Sequence, residues 1–205
     1  MNLLFWSISS TFIWYGVYRC LRLLVNKDIE YISRIYSNIH AIFILYGSFL
    51  ELKNDSNIIA KYGAFTCGYA IFDMYRSLKK KELDYIIHHS LIIIGTIPFI
   101  LEQNKLLILP KFYRKFIALN YLSESSTIFL NICWLILKNG GEKSKLFKIN
   151  AILTLVCFFI FRIVNFTYIS INLIDYKFLF MLQGILTGLN YNWFYKLIKK
   201  YKEMY

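Results

Sequence analysis

The sequence predicts an all-α membrane protein, a transmembrane bundle of about seven hydrophobic helices. Of its 205 residues, 58% are hydrophobic and only 18% are charged, whereas soluble domains carry about 25% charged residues. The apolar residues also fall into stretches of about 20, the length of helix that crosses a hydrocarbon core of ~30 Å. Strands of a membrane barrel would alternate with period two, but these apolar runs are continuous, so helices are favoured.

Each apolar stretch is predicted to be one membrane span. The stretches are residues 3–24, 35–52, 60–78, 83–101, 113–137, 147–171 and 178–196. The only two prolines, Pro98 and Pro110, suit long uninterrupted helices. Residues 1–18 carry no charge, so the first stretch lacks the basic leader of a signal peptide and is predicted to be an anchor.

The distribution of charge predicts the orientation of the spans. The formal net charge is +12, and seven spans place 16 Lys and Arg residues on one side and seven on the other. The positive-inside rule puts the richer side in the cytosol, with the N-terminus on the lumenal side. A nucleic-acid partner would need a basic groove outside the membrane, and no segment is long enough to build one, so we expect none.

Several ionisable residues lie inside the predicted spans, where each unpaired charge costs at least a few kcal/mol and partners inside the bundle are expected. They are His40, Asp73, the pair His88 and His89, Glu124 and Arg162. With a rise of about 1.5 Å per helical residue, His40, Asp73 and His88 are predicted to lie at one level near the cytosolic face. Glu124 and Arg162 share a deeper level near the middle of the membrane.

The shallow group supports more than one interpretation. A histidine beside an orienting carboxylate can transfer protons or bind a ligand. The same residues can instead only join helices by hydrogen bonds. Zinc is the weaker alternative, because no HExxH or similar spacing occurs, and we expect neither a metal nor a cofactor.

The deep group predicts an ion pair. Because neither charge tolerates hydrocarbon alone, Glu124 and Arg162 are expected to pair and to lock the fifth and sixth spans together. The alternative is that the pair binds a lipid headgroup or a polar substrate inside the bundle.

Five short segments, in order and in approximate spacing, resemble the TLC domain, a family that includes ceramide synthases and translocon-associated membrane proteins. The segments are RIYSNIHA at 34–41, GYAIFD at 68–73, DYIIHH at 84–89, SESSTIFLN at 123–131 and FFIFRI at 158–163. The resemblance divides the chain into an N-terminal anchor and loop (1–30), a TLC-like transmembrane domain (31–200) and a short cytosolic tail (201–205).

The resemblance implies a helical bundle in the endoplasmic reticulum or a related membrane, engaged with lipid. In ceramide synthases, paired histidines and nearby acidic residues serve the N-acylation of a sphingoid base by acyl-CoA. His88 and His89 match the pair. The acidic pattern does not match, because in residues 120–124 only Glu124 carries a carboxylate. This departure favours the non-synthase branch, whose members are linked to membrane lipid composition.

We therefore expect a multi-pass protein that binds, regulates or modifies membrane lipid, without an assigned reaction. One alternative is a CoA-dependent lipid N-acyltransferase in which His88 or His89 is the base or nucleophile and acyl-CoA is a second partner. Another is an escort of membrane cargo that acts independently of lipid.

The predicted orientation can be tested with tags at both ends. In sealed microsomes, added protease should digest a tag placed after Tyr205 and spare a tag placed before Met1, because the charge split puts the C-terminus in the cytosol. Asn54 begins a glycosylation sequon that this topology places in the lumen. Protection of the C-terminal tag would overturn the orientation.

Overall fold

A computed structural model describes residues 2–54, 58–109 and 111–204. Every regular element in these ranges is a helix, which confirms the predicted all-α class. Seven helical segments are present there when the helices within the predicted span 113–137 are counted as one segment and those within 147–171 as another. Pro110 and two sequon positions, Asp55 and Ser56, lie outside the described residues.

The helix bounds follow the predicted spans closely and extend past most of them. In chain order the helices are α1 Leu3–Val25, α2 Ile29–Asn54, α3 Ile59–Lys80, α4 Leu83–Gln103, α5 Lys111–Tyr121, α6 Glu124–Lys138, α7 Lys145–Phe158, a π-helical segment Phe159–Val164, α8 Asn165–Asn172 and α9 Lys177–Met204.

Within the part of the chain that the structure describes, three helical stretches combine the length and the apolar composition that membrane crossing requires. They are Ile29–Asn54, Leu83–Gln103 and Lys145–Asn172, the last including the π-helical segment. Each has at least the roughly 20 residues that cover a hydrocarbon core. These stretches are consistent with a membrane protein.

Local side-chain chemistry sets several helix ends. Asn2 Oδ1 accepts from the Phe5 amide at 3.2 Å at the start of α1, and Ser144 Oγ accepts from the Phe147 amide at 3.1 Å at the start of α7. Such caps satisfy amide groups that have no partner within the helix. At the end of α3, Lys81 adopts a left-handed conformation with φ of 55° and closes the helix.

The prediction of uninterrupted helices was wrong for two spans. The predicted span 113–137 is broken after Tyr121 and resumes at Glu124. The predicted span 147–171 contains the π-helical segment Phe159–Val164. No proline or glycine lies at either irregularity, so the sequence carried no conventional signal for them.

The helices group into two compact units. The first unit comprises residues 1–32 and 46–118, and the second comprises 33–45 and 119–205. In the first unit, α3 packs against both α1 and α4. In the second, α6 packs against α7, and α9 packs against α7, the π-helical segment and α8.

In the first unit, α1 and α3 approach closely at Gly68. A Cβ atom added there would lie 1.7 Å from Ser10 Oγ, 2.6 Å from the Ser7 carbonyl oxygen and 2.7 Å from the Thr11 amide nitrogen. Ser10 Oγ also donates to the Phe65 carbonyl at 3.0 Å, from α1 to α3. Small residues and hydroxyl hydrogen bonds of this kind are the usual means by which membrane helices pack.

A buried carboxyl group caps the start of α3. Glu51, from α2, is fully buried, and its Oε2 accepts from the Ile59 amide at 3.0 Å. The α3 N-cap residue itself, Ile58, supplies no side-chain cap. A negative group at a helix N-terminus is favoured by both the free amide groups and the helix dipole. Glu51 thus joins α2 to α3 within the first unit.

Gly68→Ala should destabilise the protein by about 1–3 kcal/mol, the usual cost of overpacking, because the added methyl group meets backbone atoms of α1. Gly16→Ala is the matched control on α1, since a Cβ there has nothing within 4 Å. Thermal unfolding of the detergent-purified variants, followed by size exclusion, measures both. Equal unfolding temperatures for the two variants would contradict the close approach.

Candidate functional site

A buried polar cluster joins α3 to α4 in the first unit. Arg76 Nε donates to Asp73 Oδ1 at 2.9 Å, and a terminal Arg76 nitrogen donates to Asp73 Oδ2 at 3.2 Å. His89 Nε2 lies 3.3 Å from Asp73 Oδ2. Asp73 and His89 are both 3% exposed. The Asp73 carboxylate therefore forms a bidentate ion pair with the Arg76 guanidinium and also contacts the His89 imidazole, largely shielded from water.

Helix geometry places these three side chains together. Asp73 and Arg76 are three positions apart, so they lie on one face of α3. The chain reverses at Lys81, and α4 returns along α3. Asp73 and Arg76 cancel each other's charge, which lets the pair remain away from water.

His89 lies among aromatic rings. Its centroid is 6.3 Å from Tyr69, 6.5 Å from Tyr85 and 5.5 Å from the neighbouring ring of His88. With Nε2 facing the carboxylate, the ring carries a hydrogen on Nε2. Nδ1 is buried, and the ring also has a hydrogen-bonding neighbour in the backbone of Tyr85.

The predicted shallow group is brought together only in part. Asp73 contacts His89, whereas His88 is half-buried beside it. His40 is buried in α2 within the second unit, so its shared cluster with Asp73 stays a prediction. Among the described residues, no three His, Cys, Asp or Glu side chains are arranged to hold a metal ion.

In the second unit, Arg162 is a buried hub whose donors reach two helices, α6 and α9, and the residue that precedes α6. Nε donates to Ser126 Oγ at 2.8 Å and to the Ser123 carbonyl at 3.3 Å. The two terminal nitrogens donate to Asn190 Oδ1 at 2.9 Å and to Thr127 Oγ1 at 2.8 Å. Most of these partners are neutral oxygens, so the guanidinium is solvated by the protein in place of water.

The predicted partner of Arg162 is present at longer range. Glu124 Oε1 lies 3.9 Å from a terminal Arg162 nitrogen, close enough for charge attraction but too far for a hydrogen bond. The ring of Phe158 lies 5.1 Å from the guanidinium carbon and adds a cation–π contact. The carboxylate therefore supplies the opposite charge, while the neutral side chains supply the hydrogen bonds.

The two helix irregularities meet at this hub. Arg162 lies in the π-helical segment Phe159–Val164, and its Nε donates to the carbonyl of Ser123, which lies in the break between α5 and α6. Single π-helical turns are uncommon and are often found at functional sites. Here the π-helical segment contains Arg162, which contacts the break between α5 and α6.

A third polar group in the second unit joins α2 to α6. Asn131 Oδ1 accepts from Arg34 at 3.2 Å, and Asn131 Nδ2 donates to Asn38 Oδ1 at 2.9 Å. The Arg34 guanidinium also lies 5.4 Å from the ring centroid of Trp134. This geometry fits the expected role of asparagines in joining membrane helices.

Sequence reasoning missed three participants. Arg76 and Arg34 were counted among the loop charges, although each lies within a helix and binds a polar side chain. Asn190, fully buried in α9, was not singled out. A spacing of three from Asp73 was the available signal for Arg76, and an isolated asparagine in a membrane helix was the signal for Asn190.

Comparison with protein families assigns the chain. The family model of the TLC domain matches residues 1–199, almost the whole sequence, so the chain belongs to the TLC-domain family. This is a family of membrane proteins associated with lipid. Comparison with curated proteins and with solved structures gave no match.

Loss of Arg162 should be costly. Arg162→Met should destabilise the protein by about 3–5 kcal/mol, because Glu124 is stranded and four oxygens lose their donors. Arg162→Met with Glu124→Gln should recover only part of this loss. Folded yield after detergent extraction and thermal unfolding measure the effect.

Two controls separate charge from geometry at the hub. Arg162→Lys keeps the charge but cannot reach Asn190 and Ser126 together, so an intermediate loss is expected. Lys177→Met removes an exposed charge at the start of α9 and should change stability by at most about 0.5 kcal/mol. Strictly additive losses for Arg162→Met and Glu124→Gln would mean that the two side chains do not interact.

Proposed function

We propose that this protein binds membrane lipid in the endoplasmic reticulum or a related membrane, with the Asp73, Arg76 and His89 cluster as a polar contact for the bound molecule. The observation that carries the proposal is this cluster, buried between two helices of a TLC-domain chain. A lipid that enters a helical bundle brings a polar headgroup, which needs hydrogen-bonding partners away from water.

The position of the cluster supports this role. Asp73 and Arg76 lie within two turns of the end of α3, and His89 lies within two turns of the start of α4. At 1.5 Å per residue, these side chains are about 10 Å or less from the helix ends, the depth at which headgroups and acyl chains meet. By the charge split, this end faces the cytosol.

A catalytic role is the second candidate, and one distance favours it. His89 Nε2 lies 3.3 Å from Asp73 Oδ2, the arrangement in which a carboxylate orients a histidine base. The surroundings favour binding over catalysis, because Arg76 occupies both oxygens of the Asp73 carboxylate that would have to assist His89 in proton transfer. An acyltransferase would require His88 or His89 to reach a substrate amine and an acyl-CoA thioester.

Lipid retained by the purified protein tests the binding proposal. Native mass spectrometry of the wild type should detect bound lipid above the level of an unrelated multi-pass protein purified in parallel. Asp73→Asn and His89→Ala should each lower this occupancy, because the first strands Arg76 and the second removes the imidazole that faces Asp73. His88→Ala is the matched control, one position away and outside the ion pair, and should retain more lipid than His89→Ala.

The same proteins decide between binding and catalysis. If the protein is an acyltransferase, membranes that express the wild type should show a shifted acyl-lipid profile. His88→Ala with His89→Ala, at equal folded abundance, should abolish that shift, since a general base is worth about 10²–10⁴-fold in rate. An unchanged profile with retained lipid supports binding. Wild-type protein that carries no lipid and shifts no profile would reject both and leave the escort of membrane cargo.

A further inference from the structure

An apolar pocket lies within the second unit, between α6, α7 and the C-terminal part of α9. It has a volume of about 80 Å³, and its walls are almost entirely apolar. The lining includes Cys133, Trp134, Phe147, Ala151 and Leu197, with Lys200 and Tyr201 from the last turns of α9. Cys133, Phe147 and Ala151 form one buried cluster, against which Tyr201 packs. The pocket is therefore a gap beside a packed core, with a cation on its lining.

The helix ends around the pocket are strongly basic. Residues 138–148 and 196–203 together carry eight lysines and only two glutamates. All eight lysines are exposed. They are Lys138, Lys143, Lys145, Lys148, Lys196, Lys199, Lys200 and Lys202. An exposed cationic rim around an apolar pocket matches an amphiphile that has an acyl chain and an anionic headgroup.

Lys200 is the lysine that belongs to both features. It lines the pocket, is exposed, and forms no ion pair with any described residue. Its neighbour Lys199 is also exposed but does not line the pocket. Trp134 lines the pocket, and the Lys138 Nζ atom lies 5.7 Å from its ring centroid. Tryptophan is typical of the membrane interface. On the predicted topology, the pocket therefore lies at the level of the lipid headgroups.

We propose that this pocket binds a short segment of an acyl chain of an anionic phospholipid, whose phosphate contacts Lys200. The proposal rests on the lipid-binding function above and adds a second lipid site, with the class of lipid that it binds. Basic pockets between membrane helices on the cytoplasmic side are known to select anionic headgroups. A phospholipid is already in the leaflet at the level of these helix ends, whereas an acyl-CoA, with similar chemistry, must come from solution.

The test uses the full chain in nanodiscs of equal parts phosphatidylcholine and phosphatidylserine. Native mass spectrometry after release into detergent should find wild type enriched in phosphatidylserine. Lys200→Gln should lower the phosphatidylserine occupancy about fivefold, the effect of losing one lysine near an anionic surface. Lys199→Gln removes the same charge one residue away and should have a smaller effect. Equal losses in both variants would show diffuse attraction and overturn the site.

The acyl-chain contact has its own measurements. Ala151→Phe fills the pocket and should lower the occupancy of both lipids. Since this variant can fail to fold, quenching of tryptophan fluorescence by phosphatidylserine with brominated chains gives a second readout. It should exceed quenching by brominated phosphatidylcholine, and Trp134→Phe should remove the difference. Equal quenching by the two lipids, or displacement of phosphatidylserine by an acyl-CoA at lower concentration, would overturn the proposal.

The outcomes also separate this site from the broader function. If the wild type retains lipid and the Lys200→Gln and Lys199→Gln variants retain equal amounts of it, the pocket is rejected and lipid binding at the Asp73 cluster is unaffected. Wild type that retains no lipid of either kind rejects both proposals.

Discussion

The structure depends on the rule that an ionised side chain away from water needs a partner. The two units satisfy it differently. In the first, Asp73 is neutralised at 2.9 Å by Arg76, which lies on the same helix, so the charge balance is local and only His89 comes from another element. In the second, Arg162 is surrounded by neutral oxygens from separate helices, with Glu124 at 3.9 Å. Removing one group should therefore disturb several helices in the second unit.

This difference also bears on function. A cluster with a local ion pair can tolerate the exchange of its outer contacts, such as those of His89, without losing its charge balance. The Arg162 hub has no such freedom, because its hydrogen bonds are the connections between α6, the π-helical segment and α9. This difference supports the proposal that the first cluster contacts a ligand, and it favours a mainly structural role for the second. The apolar pocket beside Lys200 is lined by neither the Asp73 cluster nor the Arg162 hub.

The candidate site was predictable in its positions but not in its contacts. Rare ionisable residues in apolar stretches drew attention to Asp73, His89 and Arg162, because the bilayer makes such residues costly. Which of two consecutive histidines faces the carboxylate was not predictable, since neighbouring helix positions diverge by about 100° and helix rotation is set by packing. Arg76 was counted with the cytosolic charges because it lies two residues from the end of the predicted span 60–78, and the sequence does not show that its side chain binds Asp73.

The sequence by itself determined the membrane class, the helical segments and the TLC-domain family, because composition, apolar length and motif order are local properties of the chain. Only the tertiary structure decided where helices depart from regularity. The break after Tyr121 and the π turn at Arg162 contain no proline or glycine, and they coincide with hydrogen bonds between distant residues. Such bonds form only when helices pack, so no local pattern could predict them.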